Sequence, residues 1–262
     1  MSGNQRRSRS SRGPRGSWQQ VALWYDGWLG QRGSRYHQAI AIPTVVELLD
    51  PLPGEAILDI GAGQGVLAPH IAASGARYTG IDASPRLVSI ARGRHGGQGR
   101  FVVGNAETVH RTPGIRARGY DAAVFLLSIQ DMDRLEAIFD SLDRVLRQKS
   151  RVVLLMTHPA FRQPRHSGWG FDEARKLVYR RIDAYLTPMA VPMKALGDRA
   201  PTISYHRPLS SYVNALAAIG FAIDAMREIP DLPENVRPTR RRSLFGANTE
   251  FPLFLALRGR RG

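Results

Sequence analysis

An aspartate followed by spaced glycines is the part of this chain best suited to chemistry. Residues 57–65 read Ile-Leu-Asp-Ile-Gly-Ala-Gly-Gln-Gly, and a second apolar run, Tyr78-Thr79-Gly80-Ile81, ends on Asp82 one short helix later. A strand that turns into a helix over glycines brings its backbone against a ligand, because no Cβ intervenes. Gly61, Ala62, Gly63 and Gly65 supply such a cradle. Asp59 at its base would repel a diphosphate and attract a cation such as an ammonium or a sulfonium. Asp82, at the tip of the next strand with Ala83 behind it, is placed to accept hydrogen bonds from a ribose diol.

A dinucleotide fingerprint would put Gly or Ala three residues after Gly63, but Val66 stands there and the third glycine comes early, at Gly65. The pattern favours S-adenosylmethionine over a nicotinamide dinucleotide. Asp59-x-Gly61-x-Gly63-x-Gly65 closing one strand, with an acid ending the next, resembles the first motif of the class I S-adenosylmethionine-dependent methyltransferases, small-molecule and ubiquinone-type members among them. The resemblance extends over residues 20–258, and its specific motifs lie in 57–107. It implies an α/β fold, a doubly wound, seven-stranded, mostly parallel sheet with a helical cap, whose last two strands form an antiparallel hairpin at the sheet edge. It also implies further cofactor contacts at Asn105, Ala106 and Glu107 after the third strand, and at Leu127 and Ser128 after the fourth. Asn105 departs from the family's usual Asp, yet an amide both donates to and accepts from a base edge. Asp131, in Leu127-Ser128-Ile129-Gln130-Asp131, carries two readings: a charge complementing the next helix dipole, or a catalytic group.

The elements that position these residues follow from periodicity. Apolar runs at 57–60, Arg77–Asp82, Arg100–Val103, Tyr120–Leu127 and Arg151–Met156 alternate with helical segments at Val66–Ala73, after Ser84-Pro85, and at Leu135–Leu146. Phe221–Ile229 and Phe251–Leu257 complete seven strands, with an Arg-rich loop between them. The chain from Thr157 to Phe221 is too long for a simple crossover, and Phe171, Ala174, Val178, Ile182 and Tyr185 fall at helical spacing, which predicts a helical lid over 158–206.

The acceptor side must come from the cap, residues 18–50, and from that lid. Trp18, Val21, Tyr25, Trp28 and Leu29 form a helical stripe that serves either as core or as a cover. By resemblance Tyr25 closes over the cofactor, where a ring gains cation–π attraction to a sulfonium. Tyr36, His37, Trp169, His206 and Arg207 are the expected acceptor and lid residues, with Arg207 holding an acidic substrate or ordering the lid. His158, after strand five, is the candidate general base or orienting group; a His before Pro159 equally serves a local hydrogen bond.

Composition sets the outer limits. A chain of 262 residues with 43% hydrophobic residues and no membrane-length apolar run reads as one soluble, cytoplasmic domain over 18–258. The absence of cysteine excludes disulfides, thiolate metal sites and thiolate nucleophiles, and the seven histidines show no i,i+4 pair, so no metal is expected. Of the net charge of +15, residues 1–17 carry +5 and residues 237–262 carry +6, which leaves +4 on the rest. The first 17 residues read as a disordered basic tail and 259–262 as a second, short tail. Such tails permit RNA contact, but solvated termini are the favoured reading, since 34 of the 37 basic residues are Arg throughout the chain. The expected activity is in-line methyl transfer to the O, N or C nucleophile of a small molecule. An RNA methyltransferase, an RNA-docking protein without catalysis and an NAD-dependent oxidoreductase are the alternatives, and the oligomeric state is open.

Overall fold

The computed structural model describes residues 18–193, 201–232 and 250–262. In chain order, helices α1 (Trp18–Leu29) and α2 (Ile42–Leu49), joined by a π turn at His37–Ala41, precede strand β1 (Ala56–Ile60). Then come α3 (Ala68–Ala73), β2 (Arg77–Asp82), α4 (Pro85–His95), β3 (Arg100–Val103), β4 (Tyr120–Leu126), α5 (Leu135–Asp143) and β5 (Leu146–Thr157). The insertion holds β6 (Ser167–Asp172), β7 (Leu177–Ile182), β8 (Met189–Pro192) and β9 (Ile203–His206), and α6 (Leu209–Ala218), β10 (Ala222–Ile229) and β11 (Phe254–Arg260) follow it.

Seven of the strands form one sheet in the order β10-β11-β5-β4-β1-β2-β3, with β11 antiparallel to both neighbours and the rest parallel. All five residues of β1 are buried, as a parallel strand covered on both faces requires. Successive residues alternate between two cores. Ile57, Val124, Val153 and Leu155 pack with α2, α3 and α4, while Leu58, Phe125, Leu154 and Leu257 pack with α5 and α6. Each such side chain contributes roughly 1.5–3 kcal/mol on burial. Strand order reverses between β1 and β4, and ligands of open α/β sheets bind outside that crevice.

Local chemistry sets the element ends. Ser84 caps α4, its Oγ accepting from Leu87 N at 3.2 Å, with Pro85 as the first helical residue. Helix α3 starts at Ala68, later than Val66, because the Gly turn continues through a Gly65 N to Ala62 O bond of 2.9 Å. Strand β5 begins opposite Tyr120 at Leu146, a residue expected in the preceding helix, bulges through 147–150, and regains register at Arg151 opposite Ala122. Strand β11 runs on to Arg260, so Gly259 and Arg260, expected in a tail, pair with Val152 and Arg151.

The lid is where the periodicity misleads. No helix forms over 171–185; β6 and β7 make an antiparallel ribbon, and β8 with β9 a second one. Asp172 is the physical reason. Its carboxylate accepts from Ala174 N and Arg175 N, both at 3.0 Å, and Lys176 takes a left-handed φ of 54°, so the middle of the expected helix becomes a turn. Val178, Tyr179 and Ile182 then favour the pleated strand. The N-terminal part of the cap is helical as expected.

Candidate active site

The glycines after β1 divide by function. A Cβ on Gly61 would lie 2.6 Å from Ser128 Cβ, and one on Gly65 would lie 2.6 Å from Phe101 Cε1. Both glycines have positive φ and serve protein packing. A Cβ on Gly63 would meet nothing closer than Tyr25 Cε1 at 3.9 Å, so the open approach is over Gly63 alone. Asp82 holds this loop: its Oδ2 accepts from Gly63 N at 2.9 Å and its Oδ1 from Ser84 N at 2.8 Å. Each oxygen keeps a second lone pair for a diol.

Above Gly63 lies a small cavity to which the cap contributes Tyr25, Leu29 and His37, and the loop and sheet contribute Asp59, Gly61, Ala62, Gln64, Val66 and Leu126. Helix α1 is fixed there by Asp26 to Arg94, at 2.8 Å through Nη2, and by Gln19 Oε1, which accepts from Ser84 Oγ at 2.6 Å and Arg86 N at 3.1 Å. The cavity floor has an uncompensated polarity. Asp59 Oδ2 accepts from the Tyr78 hydroxyl at 2.6 Å, but Asp59 Oδ1 is buried without a partner, and so is Gln64 Oε1. Two orphaned acceptors with no donor between them fit an ammonium or sulfonium. Burial pushes the Asp59 carboxyl up to about 7, against the Tyr78 hydrogen bond, which pulls it down.

The remaining expected residues take several places. Ala83 and Asn105 are exposed on the same rim, and Asn105 Oδ1 caps a short 3₁₀ turn (Ala106–Arg111) by accepting from Glu107 N at 2.9 Å. Glu107 lies 3.6 Å from Arg134. Leu127 holds a left-handed φ of 54° and donates its N–H to Leu155 O at 2.8 Å, while Ser128 Oγ donates to Ile60 O at 2.6 Å. The Ser128 hydroxyl therefore ties the tips of β4 and β1 together. Just beyond, burial pushes the Asp131 carboxyl up to about 8. Asp131 and Asp82 in turn raise the Tyr25 phenol, on top of its burial.

On the acceptor side, both ring nitrogens of His158 are engaged. Its Nε2 lies 3.0 Å from Glu228 Oε1, and its Nδ1 accepts from Ala160 N at 3.2 Å. With no lone pair left over, His158 is a structural bridge between β5 and β10 and a poor general base, so the local reading of a His before Pro wins. His206 Nε2 meets Tyr185 O at 2.7 Å, and Arg207 donates to Met132 O at 2.9 Å and to Asp133 O. These two residues order the lid against the tip of β4. Buried His37 lies 2.9 Å from Ser34 Oγ through Nδ1, and burial pushes it down to about 4, so it is neutral where it lines the cavity. Tyr36 donates to Asp231 Oδ1 at 2.8 Å, and Trp169 stands edge-on to Phe251 at 5.3 Å. Gln64 and Leu126 were not singled out by sequence; the place of Gln64 inside the Gly loop was a usable signal, while Leu126 reads as ordinary core.

Comparison with known proteins agrees with this geometry. Residues 58–154 match the model of a methyltransferase domain. A demethylmenaquinone methyltransferase of Tropheryma whipplei is 30% identical over 114 residues, 43% of this chain and 46% of that protein. A ubiquinone biosynthesis O-methyltransferase of Methylocella silvestris is 35% identical over 107 residues, 41% and 39% of the two chains. The chain thus spans under half the length of these relatives. Among solved structures, an S-adenosylmethionine-dependent methyltransferase from Mesorhizobium loti superposes with a TM-score of 0.69 at 22% identity, over 88% of this chain and 100% of that one. A geranyl diphosphate C-methyltransferase from Streptomyces coelicolor, solved with S-adenosyl-L-homocysteine, gives 0.56 at 14% identity over 86% and 76%. By sheet order, by glycine loop and by the methyltransferase domain matched over residues 58–154, this chain is similar to the S-adenosylmethionine-dependent methyltransferases and shares their fold.

Proposed function

We propose that this chain transfers a methyl group from S-adenosylmethionine to a small aromatic or quinone-type acceptor. One observation carries the reading: Asp59 Oδ1 and Gln64 Oε1 are buried, unpartnered and gathered in the cavity over Gly63. In this reading they receive the amino-acid end of the cofactor, Gly63 gives the backbone approach, and Asp82 takes the ribose. Ala83, Asn105, Ala106 and Glu107 border the adenine on the exposed rim, and Leu127 supplies backbone beneath the methionine part. The quinone methyltransferases among the relatives support an acceptor of that kind.

The bound cofactor supplies an activated methyl cation equivalent; the chain supplies alignment, dryness and a proton sink. Tyr25 and His37 exclude water from above the loop, and His37 does so uncharged, adding no repulsion to a sulfonium. Asp131, at the tip of β4 and near Tyr25, is our candidate to take the acceptor's proton, because a carboxyl raised to about 8 is basic enough for a phenol.

Calorimetric titration with S-adenosylhomocysteine tests the reading. Gly63→Val is expected to abolish binding, and Asp59→Asn to weaken it by about 1.5–3 kcal/mol, the range for a hydrogen bond to a charged group. The wild-type affinity should fall as pH drops below about 7, where Asp59 takes up a proton that the ligand's cation must displace. Undiminished binding by Gly63→Val would sink the assignment.

A further inference from the structure

A second group of buried polar atoms without partners lies beyond the tip of β5. Gln163 is 2% exposed, and neither the oxygen nor the nitrogen of its side-chain amide has a hydrogen-bond partner. Next to it, Arg162 Nε and Nη2 are buried and equally unpartnered. These positions are not loosely held. Arg162 N donates to His158 O at 2.8 Å, His158 N donates to Leu253 O at 2.9 Å, and Gln163 O accepts from Ser167 Oγ at 3.0 Å. Asp231 is close enough to act on Arg162 electrostatically, but its Oδ1 is engaged by Tyr36 and by Leu232 N, and it leaves the two guanidinium nitrogens unmatched.

A cluster of aromatic rings neighbours this pair, tied to it through Ser167 and Arg180. Phe161 stands edge-on to Phe251 at 5.5 Å, and Phe251 edge-on to Trp169 at 5.3 Å. Arg180, the nearby cation, is already committed to Phe161 O and Ser167 Oγ and lies 5.1 Å over Trp169. The chain links the group to the cofactor cavity: Tyr36 donates to Asp231, which acts on Arg162, and the next residue, His37, lines the cavity. Strand β4, whose last residue Leu126 lines the cofactor cavity, is paired in the sheet with β5, beyond whose tip the second group lies.

An unmatched buried amide or guanidinium destabilises a fold, so a set of them beside an aromatic cluster is best accounted for by a ligand that completes their hydrogen bonds. Two parallel guanidinium N–H groups match the paired oxygens of a carboxylate, and Gln163 Oε1 requires a donor such as a hydroxyl. We propose that Arg162 and Gln163, neighboured by Phe161, Phe251 and Trp169, form the acceptor subsite, and that the acceptor is an aromatic acid bearing a ring hydroxyl. The proposal rests on the methyltransferase reading above and gives that reading its substrate class.

The test uses the full chain saturated with S-adenosylhomocysteine and three fragments, salicylate, benzoate and phenol, titrated by ligand-observed NMR. Salicylate should bind at least tenfold more tightly than phenol, which lacks the carboxylate, and several-fold more tightly than benzoate, which lacks the hydroxyl. Arg162→Gln should erase the preference over phenol, and Gln163→Leu the preference over benzoate, both with unchanged affinity for S-adenosylhomocysteine. Thermal unfolding of the ligand-free variants separates a binding role from a structural one: Gln163→Leu should melt at or above the wild type, since it removes unmatched groups. Absent or equal binding of the three fragments, or a Gln163→Leu melting point several degrees below wild type, overturns the proposal. Failure to bind S-adenosylhomocysteine at all would instead overturn the cofactor reading.

Discussion

Two carboxyl groups near the glycine loop, Asp59 and Asp131, are held by burial far above the ordinary carboxylate range, to about 7 and about 8. In the folded chain they keep protons that an unfolded chain releases above about 4, so their effect is to make the ligand-free protein less stable as pH rises from 4 towards 8. That cost is tolerable only where charge has work to do. For Asp131 the work is proton removal, and kcat/KM should rise about tenfold per pH unit below 8 and level off above it. Asp131→Asn is expected to flatten that limb and slow turnover by roughly 10²–10⁴; a steady-state pH profile of the two proteins decides it. Of these residues, Asp59 and Asp82 were legible as soon as the sequence was read, because they punctuate apolar strands. The environment of Asp131 was not, since its carboxyl is raised by burial, for which the local sequence carries no signal. His158 shows the reverse case: its position after a strand suits a catalytic or a local role alike, and the partner of its Nε2, Glu228, lies 70 residues on, out of reach of any local signal.

At the scale of elements, the parallel strands and α4 were readable because each has a local signal: an unbroken apolar run, or a Ser-Pro start. The lid was not, because residues spaced for a helix face also suit a ribbon, and the choice lay with the Asp172 turn. A different kind of long-range tie joins α2 to the sheet. Arg151, 9% exposed in the middle of β5, donates to Glu55 through Nη1 at 2.8 Å and Nη2 at 2.5 Å, and to Leu49 O and Asp50 O at the end of α2. The guanidinium holds the Glu55 carboxyl below its usual range, so this contribution is present above about pH 4.5 and is lost as the pH falls through the depressed value. Arg151→Met should cost about 3–5 kcal/mol in urea unfolding at pH 7. The deficit should shrink in acid, where the wild type loses the pair as well.

For the whole molecule, the question is what the concentrated positive charge is for. The Arg-rich segments at 1–17 and 233–249 lie outside the described residues, while no described helix is long and apolar enough to cross a membrane. If the acceptor is small, removing residues 2–17 should leave the affinity for S-adenosylhomocysteine and the turnover of a small acceptor within about twofold, while any RNA retention falls together with its salt dependence. Loss of turnover on truncation would favour an RNA acceptor.

The sheet's seventh strand has a consequence for synthesis. Strand β11 is inserted between β5 and β10 although it follows both in the chain. Until residues 254–260 leave the ribosome, the twelve-residue β5 and its future partner-but-one each present an open hydrogen-bonding edge. The nascent polypeptide therefore passes through a stage in which its longest strand is half paired, when self-association competes with completion of the fold.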